Sequence, residues 1–277
     1  MSIDYEAEYD NRGRVADSAA IMQRWIEAAA WYRATARATL DVAYGPGERQ
    51  RYDLFSGGRT RAPLTVYIHG GYWQRGDRKD YAFVARALNE RGIDVAIPSY
   101  TLCPAVPVHA IIADMRQLLV ELWQTTGRRP VVVGHSAGGH LAAAMLATNW
   151  QTIAGAPADL VTSAYSISGV FDLPPLIGTS LNAALNLSAD SARAASPMFW
   201  QPPPATARIV AAVGGLESAE FLRQSLDLVD AWSGAGVKAE CVVVPATNHF
   251  TIVDEMARAE SAMVTRIAEF AAMTAPA

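Results

Sequence analysis

Residues 131–147 read VVVGHSAGGHLAAAMLA: a β-branched run, a glycine-rich turn and a run of small apolar residues. The valines are typical of a buried strand, and the small apolar run that follows is typical of a buried helix. Between them, residues 134–138 (GHSAG) have the G-x-S-x-G pattern at the strand-to-helix position that presents a serine above a sheet. Glycine is needed at both ends of this turn because neighbouring backbone comes close to it. We therefore predict that Ser136 is a nucleophile.

Outward from this turn, apolar runs typical of strands alternate with stretches that have helical periodicity. The predicted strands cover residues 52–55, 63–70, 93–98, 131–135, 209–215 and 240–245, and the predicted helices cover 15–38, 80–92, 111–124, 220–232 and roughly 254–273. This alternation predicts the α/β class, with a mostly parallel central sheet and helices on both faces. The first two strands flank the turn-forming sequence SGGRTRA, so we expect them to form a hairpin.

Composition limits the classes of function. The 277 residues are enough for a single domain over 1–277, and the formal charge of −4 offers no basic excess for nucleic acid or anionic lipid. The acidic N-terminus and the absence of a long apolar run predict a soluble, cytoplasmic protein without a membrane partner. Cys103 and Cys241 lie far apart in sequence, and no histidine has metal-ligand spacing, so we expect no disulfide, metal or cofactor.

Residues 170–205 interrupt the alternation with two proline clusters. A connection of this length is often a functional cover, so one interpretation is a small lid-like insertion. The alternative interpretation is an ordinary pair of surface helices with proline-rich ends. Both stay open at the level of sequence.

A serine nucleophile needs a histidine base later in the chain and an acid before that histidine. His249 follows the last predicted strand, where a loop can bring it over the turn, and Glu217 follows the strand before it. We therefore predict a Ser136, His249, Glu217 triad, with the carboxylate accepting the second ring N–H of the histidine. Asp172 follows the preceding strand and is the competing acid. The other histidines, His69, His109, His135 and His140, have structural explanations.

The negative charge that develops on an attacked carbonyl oxygen needs backbone donors. His69-Gly70-Gly71-Tyr72-Trp73 follows a predicted strand at the place where HGG loops supply such donors. We predict an oxyanion hole from the N–H groups of Gly71, Tyr72 and Ala137. Aromatic residues beside these motifs, namely Tyr72, Trp73 and Phe250, are predicted to bind substrate.

Six segments together resemble the arylformamidase (kynurenine formamidase) branch of the α/β-hydrolases over nearly the whole chain. They are HGGYW (69–73), SYTLCPAV (99–106), GHSAGGHLAA (134–143), SGVFDLPPLIGTSLNAAL (168–185), ESAEFLRQS (217–225) and NHF (248–250). The resemblance implies the α/β-hydrolase fold and hydrolysis of N-formylkynurenine to kynurenine and formate by a Ser, Asp, His triad without a metal. Glu217 stands where that family usually has aspartate.

The sequence therefore predicts a metal-independent serine hydrolase that cleaves an aryl formamide through an acyl-enzyme. One alternative is a carboxylesterase acting on small acyl or aryl esters, because the same triad serves both reactions. The other is a ligand-binding protein without activity on a hydrolase fold, since a fold does not imply a reaction. The expected partner is a small aromatic formamide or ester, and a homodimer is compatible with the sequence.

Overall fold

The structure, a computed structural model, describes residues 3–274. Residues 1–2 and 275–277, the ends of the domain predicted over 1–277, lie outside this description. The described chain contains eight strands: β1 (Ala38–Ala43), β2 (Arg51–Phe55), β3 (Leu64–Ile68), β4 (Asp94–Pro98), β5 (Val131–His135), β6 (Ser163–Ile167), β7 (Arg208–Gly214) and β8 (Lys238–Val244).

All eight strands form one sheet in the order β1-β2-β4-β3-β5-β6-β7-β8. Every neighbouring pair from β4 to β8 is parallel, whereas β2 runs antiparallel to both β1 and β4. Every residue of β3, β4, β5 and β6 is buried, as expected of parallel strands covered on both faces. The predicted α/β class with a mostly parallel sheet is confirmed.

The predicted hairpin between residues 52–55 and 63–70 is wrong. Strand β4 lies between β2 and β3, with Tyr52 of β2 opposite Pro98 and Leu64 of β3 beside Asp94. The hairpin partner of β2 is instead β1, which the sequence analysis missed because its residues are mostly exposed and lack an apolar run. A turn signal shows where the chain bends, but it does not show which strand is inserted between the two runs.

From β3 onward each connection between successive strands contains at least one α-helix, and further helices precede β1 and follow β8. The helices are α1 (Tyr5–Tyr9), α2 (Asn11–Arg14), α3 (Ser18–Thr35), α4 (Arg86–Glu90), α5 (Val108–Thr126), α6 (Ala137–Leu146), α7 (Asn182–Leu185), α8 (Ala189–Ala194), α9 (Ala219–Gly234) and α10 (Ala262–Met273). The predicted helix over 254–273 is wrong in its first part, because a 3₁₀ helix ends at Ala257 and α10 begins only after Ser261. The Ser261 hydroxyl accepts the Val264 N–H at 3.0 Å, which caps the new helix. Of the helices in residues 3–274, none has the length and apolar composition to cross a membrane.

The sheet separates two apolar layers. Val132 of β5 packs in the cluster that includes side chains of α5, α6 and α9, whereas Val131 and Val133 pack in the cluster that includes α3, α4 and α10. Successive side chains of a strand point to opposite faces, so one short valine run serves both layers. This packing fixes the position of β5, and with it the turn that carries Ser136.

Candidate active site

Ser136 occupies a strained turn between β5 and α6. Its backbone angles are φ 56° and ψ −118°, outside the regions that a residue with a side chain ordinarily adopts. The Ser136 N–H donates to the Ile167 carbonyl of neighbouring β6 at 2.8 Å, which ties the turn to the sheet. Strain of this kind persists only where the surroundings enforce it, and it is concentrated at functional sites.

The glycines on either side of Ser136 are required by close backbone contacts. A β-carbon at Gly134 would collide with the Gly138 carbonyl, and one at Gly138 would collide with the Ile68 carbonyl of β3. The sequence analysis assigned these glycines the same purpose. The predicted strand, turn and helix around Ser136 are therefore all present.

Glu217 and His249 meet at the carboxyl end of the sheet. The His249 Nδ1–H donates to Glu217 Oε2 at 2.6 Å, and both side chains are buried. Glu217 Oε1 accepts from the Ser168 hydroxyl at 2.5 Å and from the Gly214 N–H at 2.7 Å. Three donors thus hold the carboxylate, and the carboxylate fixes the His249 tautomer that leaves Nε2 unprotonated. The sequence analysis did not identify the part played by Ser168.

Asp172, the competing acid, has a different partner. Its carboxylate accepts from Arg223 of α9 at 3.1 Å. Arg223 also binds Glu220 and Asp227, so Asp172 belongs to a network of ion pairs around that guanidinium. The structure brings Glu217, and not Asp172, to His249.

The HGGYW loop lies directly against the serine turn. A β-carbon at Gly70 would come within 2.9 Å of the Ser136 β-carbon. Gly71, Tyr72 and Trp73 have φ angles of 111°, 49° and 57°, which bends the loop away from strand geometry. Among residues 3–274, no backbone or side-chain group accepts the N–H of Gly71, Tyr72 or Ala137. These three N–H groups, the predicted oxyanion donors, are thus unpaired in this part of the chain, and two of their residues, Gly71 and Tyr72, line the cavity described below.

Ser136 and His249 open into one cavity of about 530 Å³. Tyr72 and Phe250, both predicted to bind substrate, line it. Trp73, the third such prediction, does not: its side chain is fully buried, and its indole N–H donates to His140 Nδ1 at 3.3 Å. The bend of the loop turns this ring into the core, so Trp73 is corrected from a substrate contact to a packing residue.

Much of the cavity wall comes from the N-terminal 26 residues, which sequence analysis did not connect with the site. Ten lining residues lie there: Glu6, Tyr9, Asp10, Asn11, Arg12, Ala19, Met22, Gln23, Trp25 and Ile26. From the segment 170–205, only Thr179, Ser180 and Leu181 line the cavity. Its remainder forms α7, α8 and two 3₁₀ turns. The segment thus contributes three residues to the cavity wall, and the lid-like interpretation stays a prediction.

Hydrogen bonds join the two segments that line the cavity. The Glu6 carboxylate accepts the Ser180 N–H at 2.6 Å and the Ser180 hydroxyl at 2.5 Å. In addition, Tyr72 of the HGGYW loop donates its hydroxyl to the Tyr9 carbonyl at 2.7 Å. The N-terminal segment is thus held by both the HGGYW loop and the 170–205 segment.

His135 contacts the proposed base, His249. Its Nε2–H donates to the His249 carbonyl at 2.8 Å, and the two rings lie 4.7 Å apart. Burial, together with the neighbouring His249, lowers the pKa of His135, which keeps the ring neutral. The sequence analysis treated His135 only as part of the turn, and no sequence signal distinguishes this positioning contact.

Two other buried histidines are also held neutral. Burial lowers the pKa of His69 to about 4 and that of His140 to about 4. The His69 Nδ1–H donates to the Gly70 carbonyl at 2.8 Å, and the His140 Nε2–H donates to the Ala195 carbonyl at 2.7 Å. These bonds fix one tautomer of each ring.

We expect the buried histidines to make the protein sensitive to acid. An unfolded histidine binds a proton below about pH 6.5, whereas the folded rings of His69 and His140 stay neutral down to about pH 4. Their contribution to stability is therefore complete above pH 6.5 and is lost as the pH falls towards 4. The free energy of unfolding, measured with urea, should be lower at pH 5 than at pH 7 by about 3 kcal/mol.

His140→Gln should flatten this pH dependence, although it also lowers stability at pH 7. His109→Gln is the matched control, because His109 is exposed on α5. Equal pH dependence in wild type and His140→Gln would contradict the explanation.

Comparison with known proteins agrees with this geometry. A family model described as the alpha/beta hydrolase fold matches residues 65–253. The chain is 32% identical over 233 residues to the kynurenine formamidase of Salmo salar, covering 81% of this chain and 79% of that protein. It is 30% identical over 232 residues to the kynurenine formamidase of Danio rerio, covering 81% and 78%.

A solved structure extends the similarity to nearly the whole fold. The protein, from Silicibacter sp., is provisionally described as a thioesterase and has a TM-score of 0.88 and 33% identity to this chain. The match covers 96% of this chain and 100% of that one. The similarity therefore includes at least part of the N-terminal segment that lines the cavity.

Proposed function

Because this chain belongs to the α/β-hydrolase family, in its kynurenine formamidase-like branch, we propose that it hydrolyses an aryl formamide such as N-formylkynurenine. The products would be the arylamine and formate. The chain is thus an enzyme of the hydrolase class, and its substrate and catalytic residues are the parts that we propose. Its identity to two kynurenine formamidases over four fifths of its length supports the formamide.

The hydrogen bond between His249 and Glu217 is the observation that carries the proposed mechanism. It leaves His249 Nε2 as a proton acceptor in the cavity that also contains Ser136. Such an arrangement activates a hydroxyl that is otherwise a weak nucleophile. Both residues lie at the end of the sheet where α/β enzymes bind their ligands.

In the proposed reaction, His249 removes the Ser136 proton while the serine oxygen attacks the formyl carbon. The oxygen that becomes negatively charged in the tetrahedral intermediate accepts hydrogen bonds from the N–H groups of Gly71, Tyr72 and Ala137. His249 then gives its proton to the leaving nitrogen, which releases the arylamine and leaves a formyl ester on Ser136. Water, deprotonated by His249, attacks that ester, and His249 then returns the proton to the Ser136 oxygen as formate leaves. Glu217 stabilises the imidazolium in both halves of the cycle.

Aromatic side chains around the cavity support an aryl substrate. Tyr72, Phe250 and Trp25 line it, and Trp25 and Phe250 have ring centroids 6.2 Å apart. Trp25 is held by a hydrogen bond of 2.7 Å from its indole N–H to Asp254. Rings fixed in this way can accept another ring by stacking or edge contact.

We expect kcat/KM to be higher for N-formylkynurenine than for phenyl acetate. The measurement is the initial rate of formate or phenol release over a range of substrate concentration. Ester hydrolysis without formamide hydrolysis would be consistent with Ser136 as the nucleophile but would contradict an aryl formamide as the substrate. It would favour the esterase alternative, which the thioesterase-like solved structure also supports.

A further inference from the structure

Two arginine side chains line the cavity that contains Ser136 and His249. Arg12 belongs to α2, and Arg75 follows the HGGYW loop by two residues. They are the two arginines in the cavity wall as the structure describes it, and no lysine lines it there. None of the proposed chemical steps uses either of them, so their presence beside the site needs its own explanation.

Both guanidinium groups lack an acidic partner. Within residues 3–274, Arg12 donates only to the Met22 sulfur, at 3.7 Å, Arg75 donates no side-chain hydrogen bond, and neither forms an ion pair. Two carboxylates in the same wall already have other donors. Glu6 binds Ser180, and Asp10 accepts the Gly13 N–H at 2.9 Å.

Arg75 is also close to the reacting centre. Its N–H donates to the Gly71 carbonyl at 3.1 Å, and a β-carbon at Gly71 would lie 2.8 Å from the Arg75 γ-carbon. The stem of Arg75 therefore packs against a residue of the proposed oxyanion hole. A substrate group bound by its guanidinium would belong to the same molecule as the scissile carbonyl.

The electrostatic surroundings favour an anion here. Partial desolvation and the Arg12 guanidinium hold the pKa of Arg75 below its ordinary value, although both arginine side chains are exposed to solvent. Two like charges in one cavity wall gain energy when an anion binds both. A guanidinium also presents parallel N–H donors that match the two oxygens of a carboxylate.

We propose that Arg75 and Arg12 form a carboxylate subsite, so that the preferred substrates are aryl formamides or aryl esters that carry a carboxylate group. This inference rests on the proposed hydrolase function. A single negative charge fits better than a phosphate monoester, because Glu6, Asp10 and Asp80 also line the cavity and would repel a doubly charged ligand.

The test compares pairs of substrates that differ only in this charge. One pair is N-formylkynurenine and its primary carboxamide, and the other is 3-(4-acetoxyphenyl)propionate and its propionamide. Wild type should prefer the carboxylate member of each pair in kcat/KM. Arg75→Gln should reduce that preference by about 10- to 100-fold, the usual effect of one charge-assisted hydrogen-bonding partner. Arg75→Lys should restore part of it, and Arg12→Gln should have a smaller effect.

Arg14→Gln is the matched control, because Arg14 lies in α2 but outside the cavity wall. It should leave the preference unchanged. Absence of a carboxylate preference in wild type would overturn the proposal. So would an equal loss on both members of a pair in Arg75→Gln, since Arg75 would then act by positioning the HGGYW loop.

A binding measurement separates this proposal from the proposed reaction. The N-formylkynurenine pair is titrated by calorimetry into Ser136→Ala protein, with and without Arg75→Gln. Tighter binding of the carboxylate, lost with Arg75→Gln, would support the subsite even if the wild type hydrolysed neither formamide. Equal dissociation constants for acid and carboxamide would overturn the subsite even if the wild type proved to be a formamidase.

Discussion

Ser136→Ala should abolish turnover and leave the fold intact. We expect kcat to fall by about 10⁴- to 10⁶-fold, as when the nucleophile of a serine hydrolase is removed. The substitution deletes only a hydroxyl, and in the described chain that hydroxyl makes no hydrogen bond. Alanine faces the same backbone strain as serine at a φ of 56°, so stability should change little. The measurements are kcat on the best substrate and the melting temperature of both proteins.

His249→Ala supplies the internal check on this result. Residues that act as one catalytic unit give strongly non-additive losses, so the double variant should be about as slow as the slower single variant. Multiplicative losses would mean that the two residues act independently. Hydrolysis by the purified Ser136→Ala variant at the wild-type rate would contradict the proposed mechanism. Failure of an active-site phosphonate to label Ser136 in folded wild type would instead favour a binding protein without activity.

Glu217→Gln is the second large effect, with an expected loss of about 10³- to 10⁴-fold in kcat. The neutral amide cannot stabilise the imidazolium that forms when His249 takes a proton. It also weakens the acceptor that holds Ser168 and the Gly214 N–H in place. The loss should appear in kcat more than in KM, because the charge on His249 develops only during the reaction.

Asp172→Asn is the matched control for this carboxylate. Asp172 pairs with Arg223 and not with His249, so its removal should cost little kcat. Glu217→Asp should be intermediate, with a loss of about 10²-fold, because a shorter side chain cannot keep all three donors in position. A greater loss of kcat in Asp172→Asn than in Glu217→Gln would transfer the acid role to Asp172.

Local patterns predicted most of the fold and the main residues of the site. Six of the eight strands match the predicted apolar runs, whereas β1 and β6 were not among them, and α3, α5 and α9 match stretches with helical periodicity. The G-x-S-x-G turn, the HGG loop, Glu217 and His249 were each identified from the strand end that they follow. The backbone angles of a turn and the period of a strand or helix depend on residues close together in the chain, so one sequence is enough to show them.

The tertiary structure alone decided which distant segments meet. It inserted β4 between β2 and β3, brought the N-terminal 26 residues over the cavity, and placed Trp73 in the core. It also brought Arg12 and Arg75 into the wall of one cavity, although their local sequences contain no sign of a shared role. Contacts between segments far apart in sequence depend on how whole faces pack against each other. The free energy of this packing is summed over many side chains and is not encoded in any short stretch of sequence.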